Sequence, residues 1–380
     1  MPTTEGKADV SRGLKGIQVA ESSICQIDGG KGELNYRGFN VDQLAVNSSF
    51  EETAYLLLYG ELPTAIQLSQ FNTQIGDASS LPAELVNYLK SIPTDVPPMA
   101  VLRSAVSHAG LIDPDAETEG PEANHKKALQ LIARIPTIVA AIGRHQAGHS
   151  ILPADPGLCR AADFVRMLNG RQPTEDEVRS MNLILILHAE HGFNASTFSG
   201  RVIAATLTDM YSAITGAIGA LKGKLHGGAN TEVLKTLMQF DSVDAVAGWV
   251  QDVRAVKGKF MGFGHAVYQT ADPRAKYLKE MSRKLAEQSG DPKWYDLSVE
   301  IEKQVVAAIN RQCNVDFYSA SVQHYLGIPG EMFTCVFAAS RVVGWCAHVL
   351  EQQADNKIIR PSSKYVGHSN REWTEIADRD

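Results

Sequence analysis

Three short segments each set one ionisable side chain among glycines and apolar neighbours. They are residues 225–230 (LHGGAN), 261–268 (MGFGHAVY) and 314–319 (NVDFYS). Glycine lets the backbone approach a ligand closely. An apolar setting moves the titration of a His or Asp into a range that catalysis can use. Taken singly, each of these residues reads as an ordinary hydrogen-bonded loop group. Taken together, His226, His265 and Asp316 are a toolkit for carbon-acid chemistry. One group removes a proton next to a carbonyl, another steadies the enol oxygen, and a third polarises the electrophile.

The elements that must position these groups are mostly helical. Ser49 before Phe50-Glu51-Glu52 is a capping-box pattern, and that helix should end at Gly60. Thr64 with Gln67 repeats the signal. Thr174 with Glu177 opens a helix expected to run through MNLILILHAEH to Gly192. Asp272 followed by Pro273 predicts an N-cap and a first-turn proline for a helix ending near Gly290. A further long apolar helix spans 330–352. Pro136 predicts a kink or break in the helical stretch 124–145. Residues 17–36, with the turn signal Asp28-Gly29-Gly30, read as one or two small hairpins. Strands do not alternate with helices after that, which argues against a parallel α/β sheet. The acidic stretch 113–124 (DPDAETEGPEAN) reads as a mobile loop tip. No linker divides the chain, so a second domain would be an insertion on short hinges, with 221–228 (LKGKLHGG) as the best hinge candidate.

The chain has 380 residues, is 44% hydrophobic and carries a formal charge of -7, from 36 basic and 43 acidic side chains. That balance argues against a bulk electrostatic grip on nucleic acid or an anionic membrane. Five scattered cysteines without a CxxC pair argue against a disulfide framework or a zinc cluster, and for free thiols in a reducing cytosol. The N-terminal stretch MPTTEGKADVSRGLKG lacks the apolar core of a signal peptide. No uninterrupted apolar run suggests a membrane span. The expected location is cytoplasmic.

The segments LHGGAN, GFGHAVYQTADPRA, NVDFYS and FAASRVVGWCAH resemble, in order, the signature segments of citrate synthases. GLKGIQVAESSICQIDGGKGELNYRG, SSFEETAYLLLYGELPT, LILHAEHGFNASTF and IIRPSSKYVG extend the resemblance from about residue 13 to 367. It implies a mostly helical, all-α fold with a short N-terminal β-hairpin region. A large domain (1–221 and 329–380) would carry a smaller inserted one (222–328) holding much of the active site. It also implies a homodimer at least, and condensation of acetyl-CoA with oxaloacetate, with no permanently bound cofactor and no metal.

Carried onto matching positions, the resemblance makes Asp316 the general base and His226 the donor to the thioester oxygen. His265 becomes the group that polarises the oxaloacetate ketone and protonates the alkoxide, and His191 an oxaloacetate-binding residue. Arg274, Arg341 and Arg360 match the three arginines that hold the dianion, the last reaching into a neighbouring subunit's site. Arginine suits carboxylates through its bidentate fork. Lys222, Lys224, Lys257 and Lys259 precede the two histidine loops and are candidates for a basic patch facing CoA phosphates. The chain departs from the family pattern at Glu190 and Gly192, where many relatives carry Asp and Glu, which bears on how His191 is oriented. Ala266, Gln269 and Ser362 replace basic residues common in relatives, which bears on CoA affinity.

Three other readings compete. A 2-methylcitrate synthase would take propionyl-CoA, and one methylene changes pocket affinity by only ~1–3 kcal/mol. A structural assembly protein could keep the fold without turnover. A metal protein could use His145 with His149, or His188 with His191, each pair spaced for one helix face.

Overall fold

The computed structural model describes residues 10–14 and 16–379; residues 1–9, most of the polar N-terminal stretch, lie outside it. A three-stranded antiparallel sheet opens the chain, formed by β1 (Cys25–Asp28), β2 (Glu33–Tyr36) and β3 (Phe39–Asn40) in that order. Cys25 pairs with Tyr36 and Asp28 with Glu33, so the expected turn closes the first hairpin. Asp28 Oδ1 accepts from the amides of Gly30 and Lys31, each at 3.0 Å, which fixes that turn.

The rest is helical. The helices are α1 (Val41–Asn47), α2 (Phe50–Tyr59), α3 (Ala65–Ala78), α4 (Ala83–Ser91), α5 (Pro98–Ile112), α6 (Pro121–Gln146), α7 (Arg160–Asn169) and α8 (Glu175–His188). They continue with α9 (Ala195–Ala204), α10 (Met210–Leu221), α11 (Ala229–Leu237), α12 (Val246–Ala255), α13 (Ala275–Ser289), α14 (Lys293–Ile309), α15 (Val315–Tyr325) and α16 (Phe333–Ala354). The fold is all-α, as the periodicity predicts. Capping boxes form at Thr64/Gln67 and Thr174/Glu177, Ser49 caps α2, and Gly60 ends α2 in the left-handed conformation.

The structure differs from expectation in four places. α6 runs unbroken through Pro136, whose neighbours are all buried, and packs chiefly against α16 and α7. Tertiary burial there outweighs the lost hydrogen bond. α8 ends at His188, freeing 189–194 to form a loop. The acidic stretch is anchored rather than loose: residues 121–124 begin α6, and the buried Lys127 ammonium donates to the carbonyls of Ala116 (2.9 Å) and Thr118 (2.6 Å). Arg274, not Asp272, is the N-cap position of α13.

α16 is the axis of the core. Almost every residue from Phe333 to Val349 is buried, and the helix contacts α6, α8, α9 and α10. The stretch Gly330–Ala354 is long and apolar enough to cross a membrane by composition, yet 94% of its most apolar window is buried inside the molecule. It is the core helix of this fold. α11 to α15 pack largely on one another, with α13 also lying on α8. The turn at 222–228 joins α10 to α11.

Candidate active site

His226 lies in the turn that follows α10. The Gly227 amide closes that turn onto Leu221 O (2.9 Å), and Thr334 of α16 donates to Gly227 O (2.9 Å). The ring stands against Phe337, with centroids 6.3 Å apart. Its Nε2 receives the Ser196 amide at 3.3 Å and lies 2.8 Å from Ser196 Oγ. An amide N–H only donates, so Nε2 carries the lone pair and the ring hydrogen sits on Nδ1. Burial, aided by the charge of Arg341, pushes the pKa down to about 4. His226 is therefore a neutral N–H donor near pH 7.

His265 has the opposite tautomer. The amides of Val267 (3.0 Å) and Tyr268 (3.2 Å) both donate to Nδ1, so the hydrogen sits on Nε2. Burial and then Arg274 lower its pKa to about 4, against the opposing charge of Asp272. Its loop is tied to the start of α15. Asn314 caps that helix through the Asp316 amide (3.0 Å), and also donates from Nδ2 to Gly264 O (2.9 Å). Gly262 must be glycine here. Its φ is +81°, and a Cβ would lie 2.9 Å from the Phe317 ring.

Asp316 occupies the first turn of α15. A helix N-terminus favours a charged carboxylate, but here burial dominates and pushes the pKa up to about 6. The guanidinium groups of Arg274 and Arg341 oppose that rise, and Asp272 adds to it. Asp272 is the node between these groups. It pairs with Arg274 Nε (2.9 Å) and Nη2 (2.8 Å), and accepts the Val315 amide at the head of α15 (3.0 Å). Only Arg274 Nη1 is left nearly free, with one 3.5 Å contact to Leu187 O.

Arg341 is buried in α16. Its Nε donates to His188 O at 2.7 Å, and its guanidinium lies 4.7 Å from the centre of the Phe337 ring. Among the described residues its two terminal nitrogens form no hydrogen bond. The His191 ring lies 5.1 Å from that of His265, and its Nε2 3.1 Å from the Tyr268 hydroxyl. Burial, then Arg274, Arg341 and His265, hold its pKa well below the ordinary histidine value. His191, His226, His265 and Asp316 thus each feel the charge of Arg274, Arg341 or both. The cluster offers one carboxylate base, neutral imidazole donors and unpaired guanidinium nitrogens for an anion.

The other candidates fall elsewhere. Arg360 is exposed in the tail beyond α16, and Lys222, Lys224, Lys257 and Lys259 are all exposed. His145 Nε2 contacts Ile92 O (2.8 Å), His149 is exposed, and His188 Nδ1 donates to Ile184 O (2.9 Å), so neither histidine pair converges. Among the described residues no group of three or more His, Cys, Asp or Glu could hold a metal ion.

Sequence reasoning missed Ser196, Tyr268, Asp272, Trp345 and His348, each bonded to a group of the cluster or to its neighbour. A signal existed for two of them. Arg341, Trp345, His348 and Gln352 recur at helical spacing down an otherwise apolar helix.

Comparison with known proteins bears on this geometry. Residues 13–362 match the family model described as citrate synthase, C-terminal domain. The chain is 45% identical over 374 residues to citrate synthase 2 of Bacillus subtilis (strain 168), covering 97% of this chain and 99% of that one. It is 41% identical over 382 residues to a 2-methylcitrate synthase of Shewanella oneidensis, covering 99% and 100%. Its fold superposes with a TM-score of 0.93, at 32% identity and covering 98% and 100%, on the ternary complex of carboxymethyl coenzyme A and oxaloacetate with citrate synthase from Thermoplasma acidophilum.

Proposed function

The chain belongs to the citrate synthase family, and from that premise we propose that the cluster joins the methyl carbon of acetyl-CoA to the ketone carbon of oxaloacetate. It is an acyltransferase-type enzyme whose products are citrate and CoA. One observation carries the reading of the site. A carboxyl raised to about 6 shares its surroundings with two histidines lowered to about 4, so base and neutral donors coexist at pH 7.

Asp316, as carboxylate, takes a proton from the thioester methyl group. Nδ1–H of His226 donates to the thioester oxygen as it gains enol character, which avoids a full enolate charge. The enol carbon attacks the oxaloacetate ketone, and Nε2–H of His265 polarises that ketone and delivers its proton to the alkoxide. Water then hydrolyses the resulting thioester, releasing the CoA thiol. The free Nη1 of Arg274, the terminal nitrogens of Arg341 and the His191 ring hold the dianion. Two guanidinium groups favour such a ligand electrostatically.

The finer points belong to the same proposal. Arg360 reaches the site of a neighbouring subunit in a homodimer, which its exposed place in the tail supports. The four exposed lysines meet CoA phosphates. A smaller domain, 222–328, closes on a larger one, 1–221 with 329–380; the mutual packing of α11 to α15 supports that division. Free, mostly buried thiols accord with a cytoplasmic, reducing location.

Initial rates of free-thiol release from acetyl-CoA and propionyl-CoA, each with and without oxaloacetate, test the function. Oxaloacetate-dependent release that is faster with acetyl-CoA is expected. Faster release with propionyl-CoA would reassign the chain to 2-methylcitrate synthesis. No oxaloacetate-dependent release from folded protein would reject the enzyme reading.

A further inference from the structure

The loop that carries His191 contains a carboxylate outside the chemistry described above. Glu190 is 0% exposed. Its Oε1 accepts from the Gly192 amide (2.5 Å) and from His348 Nε2 (3.0 Å), so it brackets His191 on both sides in sequence. Its backbone carbonyl also accepts from the Tyr36 hydroxyl at 2.9 Å. Gly344 leaves room for it, since a Cβ there would lie 2.1 Å from Glu190 Oε2.

His348, 1% exposed, is held in one tautomer. Arg201 Nη1 lies 3.1 Å from its Nδ1, and a guanidinium can only donate. Nδ1 therefore accepts, and the ring hydrogen sits on Nε2, facing Glu190. Arg201 is fixed in turn by Glu351 Oε2 (2.7 Å) and Gln352 Oε1 (3.1 Å). Glu351 Oε1 accepts from the amide (2.8 Å) and hydroxyl (3.1 Å) of Ser23, just before β1. A chain of polar contacts, exposed at Ser23 and buried at Arg201, His348 and Glu190, thus runs from the N-terminal segment to the His191 loop.

We propose that His348 is a positioning residue: its Nε2–H clamps the Glu190 carboxylate, and that clamp holds His191 in place for oxaloacetate. The proposal rests on the reading of His191 as a substrate-binding group. The Asp-to-Glu departure at position 190 has its physical counterpart here. The longer carboxylate reaches α16, and His191 itself turns to Tyr268.

Asparagine and glutamine separate the two faces of the ring. In His348→Gln an amide N–H can still reach the place of Nε2. In His348→Asn the side chain keeps an acceptor near Nδ1 for Arg201 but no longer reaches Glu190. With the full-length enzyme, His348→Asn should raise the KM for oxaloacetate about tenfold, the scale of one charge-assisted hydrogen bond. The KM for acetyl-CoA should stay constant, and His348→Gln should remain within about twofold of wild type. Glu190→Ala, which leaves His348 and Arg201 intact, should reproduce the rise and serves if the asparagine variant does not fold. Equal effects of Asn and Gln, or a larger effect of Gln, would overturn the proposal. His191→Ala is the control for the underlying reading. If it leaves the oxaloacetate KM unchanged, that reading fails; if it raises KM while His348→Asn and Glu190→Ala do not, the clamp alone fails.

Discussion

Asp272→Asn should expose how the site balances its buried charges. Asp272 and Arg274 are almost wholly buried, with side chains 1% and 3% exposed, and share two hydrogen bonds of 2.9 and 2.8 Å. Removing one partner of such a pair costs about 3–5 kcal/mol, because the remaining charge stays desolvated and unpaired. The asparagine oxygen still accepts one hydrogen bond, which places the expected loss of folding stability near the lower end, about 3 kcal/mol. Chemical denaturation of wild type and variant measures this directly. Oxaloacetate should recover part of the loss in the variant, because its carboxylate supplies the missing negative charge. The substitution should also move Asp316. Asp272 raises the Asp316 pKa and Arg274 lowers it, so removing the first and unmasking the second lowers it. A loss below about 1 kcal/mol, the scale of an exposed ion pair, would refute the view that this pair is a buried unit.

As the proposed base, Asp316 must be ionised to act, and its carboxyl is pushed up to about 6. Below that pH, kcat/KM should fall about tenfold per unit, whereas His226 and His265, both lowered to about 4, stay neutral and add no limb above pH 5. A flat profile down to pH 5 would contradict this. Ser196→Ala removes the hydroxyl beside His226 Nε2 and leaves the Trp345 indole N–H, 3.1 Å from Ser196 Oγ, without its acceptor; kcat should fall about three- to tenfold with the oxaloacetate KM steady. Arg341→Lys keeps the charge but loses the planar fork, the bond to His188 O and the stacking on Phe337. The oxaloacetate KM should rise about ten- to hundredfold, read in the same steady-state assay.

Local rules in the sequence predict much of this fold because they act locally. Thr64 with Gln67 and Thr174 with Glu177 close capping boxes whatever surrounds them, and Gly60 ends α2 for the same reason. The features that escaped depend on distant packing. Pro136 reads as a break until α16 and α7 are seen to bury its neighbours. The acidic stretch reads as loose until Lys127 is found beneath it. In the site, the glycine-flanked histidines and Asp316 stand out by type and setting. Their partners do not: Ser196 is an ordinary serine until the turn at 222–228 brings His226 to it, 30 residues later in the chain. Trp345 and His348 look like core filling until their polar edges are followed to Ser196 and Glu190. Arg360 is the reverse case, prominent by resemblance and exposed in the single chain.

On the proposed function, Asp316 is the base in a site otherwise built to hold an anion. Asp316→Asn keeps the shape of the side chain and removes its proton-accepting charge. Turnover measured on protein shown by calorimetry to bind oxaloacetate tests this most directly. Wild-type-like oxaloacetate affinity is expected, with kcat lowered about 10²–10⁴-fold. Turnover within tenfold of wild type, in protein that binds oxaloacetate normally, would contradict it.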